Sequence, residues 1–175
     1  MAKRMVGAGW FLVLSPVLAA PVAATTVQRD YLSHGVANCN ASRFADGASL
    51  HRSAMGIRNV GSSAVFVTCD FDVSPNVPNL TPAVGIDQVV IALLNPSATD
   101  VNVSCTLASG ILHVGTFLPR TTVVQRNSGV AGILAWSATD DFGGEKIPAP
   151  AVVCLLPPSV EISYTWLRTF EEVGQ

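Results

Sequence analysis

The chain has 175 residues, 49% of them hydrophobic and only 13% charged, with 10 Lys and Arg against 12 Asp and Glu and a net charge of −2. That balance, with no basic cluster, excludes a nucleic-acid footprint as its main business. The length is that of one domain, with room for a real core.

The first 24 residues read as a secretory signal peptide rather than part of the fold. Lys3 and Arg4 form a positive start, "GAGWFLVLSPVLAAPVAA" an apolar run, and Val22 and Ala24 the small-x-small site for cleavage after Ala24. A retained anchor needs about 20 consecutive apolar residues, and Pro16 and Pro21 interrupt this run. The expectation is a secreted or periplasmic protein with no membrane span after cleavage, and a single domain over residues 25–175. Without Lys3 and Arg4, 8 of the 10 basic residues remain against 12 acidic ones, a net charge near −4, and Lys146 is the only lysine left.

Downstream, apolar residues alternate with period two, the mark of half-buried strands. "GVANC" is a candidate early strand, and "SAMGIRN" leads to "AVFVTCDF", where Val65, Val67, Cys69 and Phe71 share a face. "IDQVVIALL" is apolar on both faces from Val89 onward, as in a central strand covered on both sides. "DVNVSCTLA" places Val101, Val103, Cys105 and Leu107 on one face; "TTVVQR", "GILAWS" and "AVVCLL" follow. In "SVEISYTWL" the alternation groups Val160, Ile162, Tyr164 and Trp166, which assigns Trp166 to the core. Turn-forming strings such as "SPNVPNLTP", "RNSG" and "DDFGGEKIPAP" separate these runs. The pattern predicts an all-β fold, an antiparallel β-sandwich of immunoglobulin-like type with roughly 8–10 short strands. An eight-stranded outer-membrane barrel fits the length. It fits poorly with 7% aromatic residues and with Val, Ile and Cys at the inward positions.

Cys39, Cys69, Cys105 and Cys154, an even set in an exported chain, read as two disulfides. Three pairings are open, and the simplest is sequential, Cys39 with Cys69 and Cys105 with Cys154. Spacings of 30, 36 and 49 residues match no zinc knuckle.

One phrase occurs twice: "NVGSSAVFVTC" at residues 59–69 and "NPSATDVNVSC" at residues 95–105. In both, Asn is followed six, eight and ten residues later by Val, Val and Cys, positions of one parity that must face one core. The expected structure is a pair of β-hairpins whose Asn residues bond their own backbone at the turn or adopt a left-handed conformation there. Nothing catalytic repeats with the phrase, which makes it scaffold rather than a duplicated site.

The order of these motifs, a Cys, "GIRN", "V-x-V-x-C", a second "V-x-V-x-C-T-L", then "V-x-C-x-x-P-P" and "S-x-x-I-S-Y", resembles uncharacterised small exported disulfide-bonded β proteins of Gram-negative bacteria. The resemblance spans Cys39 to about Trp166. It implies an exported β domain and implies no activity.

Chemistry-bearing motifs are sparse. His34, His51 and His113 form no metal-binding spacing, and no nucleophile elbow occurs. Asp70 and Asp72 share a strand end; Asp140, Asp141 and Glu145 surround Phe142 in a glycine-containing loop. That loop is the candidate ligand site, with Phe142 as the aromatic, although it lacks the calcium-loop spacing. No catalytic residue, metal site or cofactor is predicted. The expected function is a non-enzymatic exported sandwich, binding or structural at the cell envelope, with an envelope glycan or protein as partner and no nucleic acid. The alternatives are a carbohydrate-binding module and, behind it, a glycan-acting enzyme.

Overall fold

A computed structural model of the chain describes residues 25–71, 85–111, 114–127, 129 and 131–173. The leader segment, Asp72 and His113 lie outside them. The elements run β1 (Thr25–His34), α1 (Gly35–Asn38), β2 (Cys39–Ala41), a 3-10 turn (Phe44–Ser49), β3 (Leu50–Arg52), β4 (Ile57–Asn59), β5 (Val65–Asp70) and β6 (Gly85–Leu94). They continue with β7 (Val101–Ile111), β8 (Val114–Val124), β9 (Gly132–Ser137), α2 (Ala138–Asp141), β10 (Ala151–Leu156) and β11 (Glu161–Val173). All strand pairings are antiparallel and fall into two sheets, one ordered β3-β4-β11-β6-β9 with β1 also on β11, the other β2-β5-β10-β7-β8. This is the all-β sandwich that the alternation predicts, in two sheets rather than one closed barrel.

Set side by side, the two orders match β3 with β2, β4 with β5, β11 with β10, β6 with β7 and β9 with β8. Every matched pair is consecutive in the chain. The sandwich is therefore laced by five short arches, each carrying the chain from one sheet to the strand facing it. Between the sheets lies the core, with Ile57, Val67, Val89, Ile91, Leu93, Val103, Leu107, Trp136, Leu156 and Ile162 fully buried. β6 is buried on both faces from Val89 to Leu93, as its unbroken apolar run requires.

The doubled phrase forms two of these arches, not two hairpins: β4 and β5 lie in different sheets, as do β6 and β7. In each, the Asn is buried and does the same work. Asn59 Oδ1 accepts from Gly61 N (2.9 Å), while its Nδ2 donates to Ser63 O (2.8 Å) and Leu156 O (2.9 Å). Asn95 Oδ1 accepts from Ser97 N (3.0 Å), while its Nδ2 donates to Thr99 O (2.8 Å) and Val124 O (3.1 Å). The backbone carbonyls repeat the correspondence, Asn59 accepting from Ser159 N (2.7 Å) and Asn95 from Asn127 N (2.9 Å). Ser159 and Asn127 both hold positive φ, 69° and 40°. Each phrase thus pins its own arch and the last carbonyl of the strand returning beside it, Leu156 of β10 or Val124 of β8. Only a side-chain amide supplies one acceptor and two donors in this arrangement.

Parity holds in both copies. Val65, Val67 and Cys69 are buried, as are Val103 and Cys105. Both disulfides form in the sequential pairing, Cys39 with Cys69 and Cys105 with Cys154, with Cα atoms 3.9 and 4.0 Å apart. In each, the two cysteines are directly opposite on neighbouring strands. Both bonds lie within the five-stranded sheet, and neither crosses the sandwich.

Two further sequence expectations fail locally. "GVANC" is one helical turn entering β2, and the strand before it, β1, follows no apolar alternation because nearly all of it is exposed. The second failure concerns β11 and determines the candidate site.

Candidate functional site

β11 does not keep a single alternation. Ile162 pairs with Leu93 of β6, but the next pair is Tyr164 with Ala92, so Ser163 is an extra residue, a β-bulge. Ser163 Oγ donates to Ala92 O (3.1 Å) within it. The bulge reverses which side chains face inward. Val160 and Ile162 point into the core, but after Ser163 it is Thr165, Leu167 and Thr169 that do so, and all three are buried. Tyr164, Trp166, Arg168 and Phe170 are carried to the outer face, partly exposed. The assignment of Trp166 and Tyr164 to the core is thereby corrected. The backbone packs closely beside the bulge: a Cβ on Gly35 or Gly56 would collide with the Ile162 carbonyl oxygen, so glycine is needed at both positions.

Register fixes what surrounds these rings, because directly opposite residues in antiparallel strands share a face. Across β1, β11, β6 and β9, one row reads His34, Tyr164, Ala92 and Ile133, and the next Leu32, Trp166, Val90 and Ala135. A third reads Asp30, Arg168, Gln88 and Ser137, and a fourth begins Gln28, Phe170, Gly85. The rings of β11 therefore stand beside Ala92 and Val90 of β6, which are buried (0% and 7% exposed), with exposed Leu32 (68%) on β1 and Ile133 (46%) on β9 to either side. Cations lie against the rings: Arg168 Cζ is 4.8 Å from the Trp166 centroid and Lys146 Nζ 4.2 Å from that of Phe170. Arg168 also pairs with Asp30 (3.2 Å) and Lys146 with Asp87 (2.7 Å).

At the arch end of the same face, Arg58 donates through Nε (3.0 Å) and Nη2 (2.7 Å) to Oε2 of Glu161. The Glu161 side chain is 8% exposed and that of Arg58 44%. With Leu94, Asn95, Pro96 and Asn127 they line a cleft of about 280 Å³. Glu161, in this cleft, escaped notice in the sequence because it reads there as an ordinary outward strand residue.

In the acidic loop, two of the three carboxylates are bonded within the chain. Asp140 accepts from Ser137 Oγ (2.7 Å). Asp141 bonds Arg120 Nη2 (2.7 Å) and Ser137 N (2.8 Å). Phe142 packs against the core and Glu145 is exposed. Arg120 in turn lies 5.9 Å from the ring of buried Trp136, whose Nε1 donates to Leu118 O (2.9 Å). The loop thus ties α2 to β8. Among the described residues, no group of three or more His, Cys, Asp or Glu is placed to hold a metal. His34 and His51 are exposed on the outer face, opposite Tyr164 and Arg58. Asp70 is exposed at the end of β5. On the other side of β1, Tyr31 donates to Glu171 (2.8 Å), which holds its hydroxyl pKa above the usual 10.0, with burial and the carboxylate charge adding to the effect.

No family model and no curated protein matches the chain. Among solved structures, it is similar to an exo-β-1,3-galactanase from Phanerochaete chrysosporium with galactose (11% identity, TM-score 0.38, 83% of this chain). It spans only 29% of that enzyme's length. It is also similar to TmCBM61 in complex with β-1,4-galactotriose (4% identity, TM-score 0.35, 82% of this chain and 88% of that one). A third is the coat protein of tobacco streak virus (12% identity, TM-score 0.37, 90% and 93%). At such identities and TM-scores nothing about ligand or activity carries over.

Proposed function

We propose that this protein is an exported, non-enzymatic β-sandwich module of the cell envelope that binds carbohydrate on the outer face of its six-stranded sheet. The observation that carries this reading is the line of partly exposed rings, Tyr164, Trp166 and Phe170, which the Ser163 bulge turns outward. Aromatic faces offer a large apolar area at low conformational cost, with polar neighbours to fix orientation. Here the neighbours are Arg168, Asp30, Gln88 and His34. Export is supported by the leader sequence and by two disulfides, which persist in oxidising compartments. No described helix is long and apolar enough to cross a membrane.

Affinity electrophoresis in gels containing soluble polysaccharides tests the proposal. The wild-type protein is expected to be retarded by at least one of them. Trp166→Ala and Tyr164→Ala should each weaken retardation at least tenfold, about 1.4 kcal/mol, while Thr121→Ala on the opposite sheet leaves it unchanged. Retardation indifferent to Trp166 and Tyr164, or absent across the panel, overturns it.

A further inference from the structure

We infer that the sugar chain bound by this face is uncharged and extended, lying along β11; this rests on the carbohydrate reading and narrows it. Among the described residues, three Lys or Arg side chains stand on the outer face, and each is already matched by a carboxylate: Arg58 by Glu161 (2.7 Å), Lys146 by Asp87 (2.7 Å) and Arg168 by Asp30 (3.2 Å). Two of the three also rest on rings, Arg168 on Trp166 and Lys146 on Phe170. A uronate or sulfate approaching this surface has to displace a carboxylate from its partner and then meet the displaced charge at close range. Glu172, whose position on β11 puts it on the same face beyond Phe170, adds a further negative charge. A neutral chain meets no such conflict. Paired charges still hydrogen-bond hydroxyls in both directions, the carboxylates accepting and the guanidinium and ammonium groups donating.

The form of the ligand follows from the spacing of the rings. Side chains two apart on a strand are about 7 Å apart, and four apart about 13 Å. Tyr164, Trp166 and Phe170, the last two with a cation against one ring face, therefore lie in a line longer than a single sugar, and that line ends beside the Arg58–Glu161 cleft. A single ring suits a lone sugar, whereas this row suits successive units of a chain.

The test compares matched pairs of polysaccharides with one backbone and different charge, such as hydroxyethyl cellulose with carboxymethyl cellulose, and neutral galactan with polygalacturonate. Binding is measured calorimetrically at low salt and in 0.5 M NaCl. The expected result is affinity for a neutral member at least tenfold above its acidic partner, changed less than twofold by salt. Asp30→Asn, which releases Arg168 from its partner, should raise affinity for the acidic member at least threefold. Preference for the acidic chains, weakened by salt, overturns this inference and leaves the carbohydrate reading standing. Equal affinity for single sugars and long chains overturns the extended-chain part alone. No binding to any member overturns both.

Discussion

Asn59 and Asn95 show how much structure one side chain can organise. Each buried amide satisfies the N–H two residues ahead, a carbonyl four residues ahead and the last carbonyl of the strand returning beside it. Removing the amide strands polar groups that water reaches poorly, at roughly 1–3 kcal/mol for each unsatisfied group. Asn59→Ala or Asn95→Ala should therefore destabilise the domain by about 2–4 kcal/mol in urea unfolding. Asn→Asp should cost at least as much, since a carboxylate would face two carbonyl oxygens. A loss below about 1 kcal/mol at both sites would contradict this role. The local half of the bonding was legible, because Asn before small residues signals a side-chain turn. The distant half was not: Leu156 and Val124 lie 97 and 29 residues further along the chain. Without those contacts an arch and a hairpin share one sequence signature.

β11 marks the limit of alternation as a guide to which face is buried. "EISYTWLRTF" can be read in either parity, since Thr165, Leu167 and Thr169 make as plausible an inner face as Tyr164, Trp166 and Phe170. Ser163 decides between them, and a small polar residue in a strand does not announce a bulge. The observed parity predicts an unusual ranking of substitutions. Leu167→Ala should cost about 2–4 kcal/mol, as for truncation of a buried Leu. Trp166→Ala should cost less than about 1.5 kcal/mol despite removing a larger side chain. Chemical denaturation of the two variants checks it, and the reverse ranking would mean that Trp166 points inward. β1 was illegible for a different reason: an exposed strand attached along one edge needs no apolar periodicity, and Thr25–His34 has none.

For the molecule as a whole, the class of fold and the presence of two disulfides were legible because period-two alternation and an even cysteine count in an exported chain each have few readings, while the choice among three pairings rested on simplicity alone. The five arches were not, since matching β4 to β5 or β6 to β7 depends on contacts far apart in the chain. The disulfides brace one sheet of the two, closing loops of 30 and 49 residues. Replacing Cys39 and Cys69, or Cys105 and Cys154, by Ala should lower unfolding free energy by roughly 3.5 and 4 kcal/mol respectively on the chain-entropy model. Thermal melts of the two double variants check this, and an unchanged melting temperature in either would contradict it.

The unbraced sheet carries the outward rings, and the central claim is that they meet the ligand. Trp136 is fully buried while Trp166 is partly exposed, so tryptophan fluorescence reads the site directly. Titration with a neutral polysaccharide should shift the emission to the blue and protect it from iodide quenching, and both changes should vanish in Trp166→Phe. Emission and quenching that stay constant at saturating polysaccharide, or that change equally in Trp166→Phe, would contradict the account.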